Sequence, residues 1–182
     1  HFNHNKPFVY AARGFKTIEE MNEAIIANWN RVVEDGDKVF VLGDFALGTD
    51  LDSIDKILHR LSGEIHLIRA NHDTDTRWEF YKNSDANVYV HDWVYTEKMN
   101  KHLVYMCHFP TFINNPSYKP LKSAIISLFG HTHSKEKFFP LYDDFGCNPF
   151  MYNVACDAHN CTPISWEEIW NDIQKEYNDF LK

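Results

Sequence analysis

Asp44 follows Gly43 at the end of the apolar run Val39-Phe40-Val41-Leu42, and two later stretches repeat that arrangement. Ile65 to Ala70 leads into Asn71, His72 and Asp73, and Ile125 to Phe129 leads through Gly130 into His131 and His133. His108 closes a further apolar segment, and His1 opens the chain. These are carboxylate, carboxamide and imidazole donors of the kind a pair of divalent cations takes, and with no thiolate among them they suit Mn, Fe, Zn, Ni or Co without choosing between them. Each has a plainer use when taken singly: Asp44 as a turn cap, His108 as a buried hydrogen-bonded ring. Their repeated placement after apolar runs sets the group apart. In Gly130-His131-Thr132-His133 the spacing of two puts both imidazoles on one side of a strand, while a turn after the glycine aims them at neighbouring ions. Of the eleven histidines, His59, His66, His91, His102 and His159 stand alone and read as ordinary core or surface residues.

Side chains that share a metal need rigid carriers. The run at 39–42 is introduced by the turn-like Glu34-Asp35-Gly36-Asp37 and predicts a strand covered on both faces. Ligands of such sheets collect beyond the carboxyl ends of the strands. Thr17-Ile18-Glu19-Glu20 is a capping box, opening a helix to about Val33 that buries Ile18, Met21, Ile25, Trp29 and Val32. Thr49 or Asp50 caps a second helix carrying Leu51, Ile54, Ile57, Leu58 and Leu61, with Gly63 just past its end. Strand, helix, strand in that order predicts a right-handed crossover.

Between Asp73 and Asp85, Trp78, Phe80 and Tyr81 mark a short helical segment. Val88 to Tyr95 and His102 to Cys107 alternate around the polar 98–101 stretch, predicting an antiparallel hairpin that delivers His108. Residues 110–123 have the composition of a loop, with Lys119 and Lys122 towards its end, and loops of that length are often functional. Tyr152 to Cys156 predicts a last strand. Ser165-Trp166-Glu167-Glu168 is a second capping box, ahead of a helix with Ile169, Trp170, Ile173, Tyr177 and Phe180 on one face. No repeat or linker interrupts the chain, so one domain over 1–182 is expected.

The chain has 182 residues, 44% hydrophobic and 15% aromatic, enough to bury a core. A net charge of -8 leaves no broad basic surface, so non-specific duplex binding is not expected. No apolar run approaches the ~20 residues of a membrane span, which makes a soluble, cytoplasmic protein the expectation. Cys107, Cys147, Cys156 and Cys161 lack C-x-x-C spacing and read as reduced, structural residues.

On these residues the chain resembles the calcineurin-like metallophosphoesterases, in particular their short bacterial and phage members. The ordered motifs of that family are D-x-H, G-D, G-N-H-D/E, a single histidine and G-H-x-H. They stand here as His1, Gly43-Asp44, Asn71-His72-Asp73, His108 and Gly130-His131-Thr132-His133. The opening His-Phe-Asn-His, Met21-Asn22-Glu23, and Asn153-Val154 through Pro163-Ile164-Ser165 extend the likeness over nearly the whole chain.

The resemblance implies an α/β fold, a two-sheet αββα sandwich with the metal site at strand C-terminal ends. It implies one metal site of His1, Asp44 and His133 and another of Asp44, Asn71, His108 and His131, with Asp44 bridging two divalent ions, Mn favoured. Attack on phosphorus by a metal-bridging hydroxide would follow, with His72 as general acid and Asp73 orienting its ring. Asn71 and His4 would contact the substrate, a phosphorylated small molecule or nucleotide presented as a monoester or diester. Arg13 and Arg69 are weaker candidates for phosphate contact.

Two departures from the family pattern stand out. The aspartate two places before the first histidine is missing, together with the strand that should carry it, so the expectation is that a segment precedes His1. Ala70 replaces the usual glycine, at a cost on the order of 1 kcal/mol if the backbone there takes positive φ. A catalytically attenuated scaffold that binds a protein partner is the alternative, favoured by the missing aspartate and opposed by the His72-Asp73 pair. A nucleic-acid-binding module is a third reading, disfavoured by the net charge.

Overall fold

The apolar runs form strands, and the strands sort into two sheets. The computed structural model of the protein describes residues 1–117, 120–141 and 146–182. Tyr118, Lys119 and residues 142–145 lie outside that description, so the loop lysine at 119 is not placed. The chain divides into two compact units, one of residues 1–93 with 160–163, the other of 94–159 with 164–182.

In the first unit β1 (Lys38–Val41), β2 (Glu64–Ile68) and β3 (Val88–His91) make a parallel sheet in the order β1-β2-β3. The parallel β1–β2 pair is the one predicted from strand–helix–strand. β2 is central, and Ile65 to Ile68 are all buried. β1 was expected to be covered on both faces, yet Val39, Phe40 and Val41 are half-exposed because β1 lies at the sheet edge with β2 as its partner. Beyond the end of β1, Phe2 forms a parallel bridge to Ala46, donating to the Phe45 carbonyl at 2.8 Å and accepting from the Leu47 amide at 2.9 Å.

Four helices complete the unit: α1 (Pro7–Tyr10), α2 (Ile18–Val32), α3 (Leu51–Leu58) and α4 (Asp75–Lys82). In α2 the Thr17 hydroxyl accepts from the Glu20 amide, but the Glu20 carboxylate reaches the amide of Lys16, so only half of the expected capping box forms. Met21, Ile25, Ile26 and Trp29 are buried, whereas Val32 points outwards at 45% exposure and Val33 takes its place. Asp50 caps α3 by accepting from the Ser53 amide. Gly63 has φ +89, and a Cβ there would come within 2.8 Å of the Asp37 carbonyl, so this turn admits no side chain.

In the second unit β4 (Val94–Met99), β5 (His102–Cys107), β6 (Ile126–Phe129), β7 (Phe138–Pro140) and β8 (Cys147–Asn153) form a mixed sheet in the order β4-β5-β6-β8-β7. Two sequence expectations are corrected here. The alternating stretch 88–95 is two strands in different sheets, interrupted at Asp92-Trp93, and the hairpin is β4–β5, turning at Asn100-Lys101 where φ is 45 and 76. The last strand is Cys147–Asn153 rather than Tyr152–Cys156, and residues 156–158 are a 3-10 turn. Pro149 is tolerated because the β7–β8 register breaks opposite it, passing from Phe138↔Tyr152 to Phe139↔Asn148. α5 (Trp166–Phe180) packs on β8 and begins with a complete capping box at Ser165 and Glu168. Among the described residues no helix is long and apolar enough to cross a membrane.

Candidate functional site

The first unit gathers His1, His4, Asp44 and the 70–73 turn. Gly43 and Asp44 leave β1 with φ of 80 and 52, which turns the Asp44 carboxylate back under the neighbouring turn. Asp44 is 3% exposed; its Oδ1 accepts the His72 amide at 3.0 Å and its Oδ2 lies 3.4 Å from His1 Nε2. The Phe2 bridge and the hydrogen bonds between Asn3 and Asn22 fix the chain between His1 and His4. His1 Nδ1 and His4 Nδ1 then face each other at 3.0 Å.

Asp73 does not orient the His72 ring, as the resemblance implied. Its Oδ2 accepts the amides of Ala70 at 2.9 Å and Asp44 at 3.2 Å, and Oδ1 is buried with no hydrogen-bond partner among the described residues. The carboxylate is a brace between two turns. Burial pushes its pKa up to about 6, against the pull of the two amide donors. Arg77, a residue that sequence reasoning passed over, is 5% exposed and donates to the carbonyls of His72 and Gly48, both at 2.7 Å, tying the same turns together from the other side. Nothing in the sequence marks this arginine out, because its partners are main-chain carbonyls.

Asn71 and His72 are exposed, and among the described residues neither side chain is hydrogen-bonded. Ala70 is not among the residues of positive φ, so replacing glycine there carries no left-handed strain. Arg69 pairs with Asp75 and lies between the rings of Trp78 and Trp93, 5.6 Å from each centroid, which makes it a packing residue. Arg13 donates to Met21 Sδ at 3.6 Å.

The second unit holds His108, His131 and His133. β5 ends at Cys107 and places His108, 2% exposed, with Nε2 at 3.1 Å from His131 Nδ1. His131 and His133 follow β6 and are exposed, and both take left-handed backbone, φ 61 and 50. His133 Nδ1 lies 3.2 Å from Asp157 Oδ2. The donor chemistry fits divalent cations. Among the candidate residues of each unit two imidazole nitrogens face one another at hydrogen-bond distance, an arrangement that a cation can satisfy. It otherwise obliges one ring to supply the proton for both, as it does between His66 and His91, whose ring nitrogens stand 2.9 Å apart away from these candidates.

A different group meets a purely geometric test for metal ligation: donor atoms of Asp55, His59 and Asp85 all lie within 4.8 Å of one another. Here the two carboxylates address opposite ring nitrogens, Asp55 near Nδ1 at 3.4 Å and Asp85 near Nε2 at 3.2 Å. The Asp55 carbonyl bond, together with both carboxylates, raises the His59 pKa. That is the setting of an exposed imidazole ring between two anions, and one ion cannot replace both contacts without rearrangement.

No known family profile matches the chain. An uncharacterised protein of Methanocaldococcus jannaschii is 46% identical over 74 residues, 40% of this chain and 42% of that protein, so the match spans about two-fifths of the relative's length. Among solved structures, a protein of unknown function from Aquifex aeolicus is similar over 94% of both chains, with a TM-score of 0.66 and 21% identity, which shows a shared fold. A novel archaeal phosphodiesterase gives a TM-score of 0.46 and 19% identity over 75% of this chain and 78% of its own.

Proposed function

We propose that this chain is a metal-dependent phosphoric ester hydrolase of the metallophosphoesterase type, built as an αββα sandwich. In the metallophosphoesterase pattern, His1, Asp44, Asn71, His108, His131 and His133 are the ligands of two divalent ions. When bound, such a pair acts as a Lewis acid on a phosphoryl oxygen and lowers the pKa of water towards neutrality. The observation that carries the reading is backbone strain. Asp44, His131 and His133 hold φ of 52, 61 and 50, a region that disfavours side chains and costs about 1–3 kcal/mol per residue. Such conformations persist where the surroundings enforce them, and they cluster at functional sites. Three of the six ligands inferred from the motifs adopt them.

The chain's own groups then have definable tasks. Asp44, held by the His72 amide, keeps its carboxylate in one orientation. His72 is exposed and is the proton donor to the leaving oxygen, while Asn71 and His4 contact the phosphoryl group. Asp73 acts at one remove, by fixing the turn that carries His72. The substrate class is a phosphorylated small molecule or nucleotide.

The test is hydrolysis of a panel of phosphomonoesters and phosphodiesters, including bis(p-nitrophenyl) phosphate, with Mn added to chelator-treated protein. The expected result is Mn-dependent turnover that His72→Ala lowers by ~10²-fold or more, least for esters with good leaving groups. Metal binding without turnover on any ester would instead support the scaffold reading, to which the separation of Asp73 from the His72 ring lends weight.

A further inference from the structure

Asn153 is the last residue of β8, 1% exposed, and each polar group of its side chain is used. Its Nδ2 donates to the carbonyls of Ser134 at 3.1 Å and Glu136 at 2.9 Å, and its Oδ1 accepts the Ala155 amide at 3.0 Å. Its main chain is tied as well, the amide donating to the Lys137 carbonyl at 2.8 Å and the carbonyl facing His159 Nε2 at 2.7 Å. One buried carboxamide therefore joins the segment just after His133 to the segment leading into Asp157. Asp157 sits in the 3-10 turn 156–158, with its side chain 13% exposed, and faces His133 Nδ1 at 3.2 Å.

A carboxylate only accepts hydrogen bonds, so a neutral His133 in this contact carries its proton on Nδ1 and its lone pair on Nε2. Metal-binding histidines are oriented in this way by a partner on the second nitrogen.

We propose that Asp157 is a positioning residue. It selects the tautomer and ring orientation that make Nε2 of His133 the metal-binding atom, and Asn153 holds the strained 131–136 segment and the 155–157 turn in the register that lets Asp157 reach the ring. This rests on the metal-dependent reading above and adds the identity of the ligand atom and the residue that sets it.

Two measurements test it. In the metal-free protein at pH 8, long-range ¹H–¹⁵N correlation of the imidazoles reads the His133 tautomer without any metal present. The Nδ1–H form is expected in the wild type, with a shift towards Nε2–H in Asp157→Ala. Titration with Mn should then show Asp157→Ala losing ~10–100-fold in affinity for one of two equivalents, with the other unchanged. Asp157→Asn retains an acceptor oxygen and should recover most of that loss, which a general loss of folding would not permit. A wild-type Nε2–H tautomer, or an Asp157→Ala protein binding both equivalents as tightly as the wild type, would overturn the role given to Asp157. Wild-type protein that binds no divalent ion would overturn the metal-dependent reading itself, a distinguishable result.

Discussion

The turns at 43–44 and 70–73 and the loop at 130–136 both present candidate ligands after a strand, but they are stabilised in opposite ways. In the first unit the functional residues brace each other. Asp44 accepts the His72 amide, and Asp73 accepts the amides of Asp44 and Ala70. In the second unit His131 and His133 are exposed, and much of the hold on their loop comes from Asn153, which is not itself a candidate ligand. Ligand and scaffold are the same residues in one region and separate residues in the other. Substitution of Asp44 should therefore couple stability to metal binding, whereas substitution of Asn71, His131 or His133 should weaken metal binding with little change in stability.

The sharpest contrast is between two asparagines. Asn153→Ala removes the partner of two part-buried carbonyls and an amide and leaves a void at a buried position, and should lower stability by about 2–4 kcal/mol. Asn71→Ala removes an exposed carboxamide that is not hydrogen-bonded among the described residues, and should leave the metal-free protein within ~0.5 kcal/mol of the wild type. Urea denaturation of chelated protein measures both, and equal losses would erase the distinction between a buried scaffold residue and an exposed ligand.

A smaller effect separates function from stability inside the loop. His131→Gly and His133→Gly relieve left-handed backbone, worth about 1 kcal/mol each, which offsets the lost contacts with His108 and Asp157, and should leave thermal midpoints little changed while weakening metal binding. A clear fall in the midpoint of both variants would mean that the imidazoles carry the loop's stability themselves.

The smallest effect concerns pH. Burial lowers the pKa of His159, whose Nε2 meets the Asn153 carbonyl, below its ordinary 6.5. The folded state thus prefers the neutral ring, so this contribution is present above pH 6.5 and is lost as pH falls through the lowered folded value. His159→Gln should flatten the decline in stability below pH 6.5, and an unchanged decline would assign it to other groups.

Much of this was legible in the sequence, for local reasons. Thr17, Asp50 and Ser165 cap helices as their spacing predicts, and residues 39–41, 65–68 and 126–129 of the apolar runs are in strands because short apolar segments between turn signals have few other options. The misses are tertiary. Alternation over 88–95 cannot reveal that the chain leaves one sheet for another at Asp92-Trp93. Pro149 hid β8, since a proline is excluded from a paired strand unless the partner's register breaks opposite it. Asp73 beside His72 suggested an acid and its orienter, yet the carboxylate accepts the main-chain amides of Ala70 and Asp44. The partnership of Asp157 with His133 spans 24 residues and leaves no local signature.

The proposal that the chain binds a pair of divalent ions with Asp44 among the ligands is tested most directly by metal stoichiometry. Chelated protein reconstituted with Mn and freed of excess ion should retain two equivalents per chain, with one lost in His133→Ala and both lost in Asp44→Ala. His59→Ala, which dismantles the exposed Asp55–His59–Asp85 group, should retain both. Retention of metal by Asp44→Ala, or its loss in His59→Ala, would contradict the account.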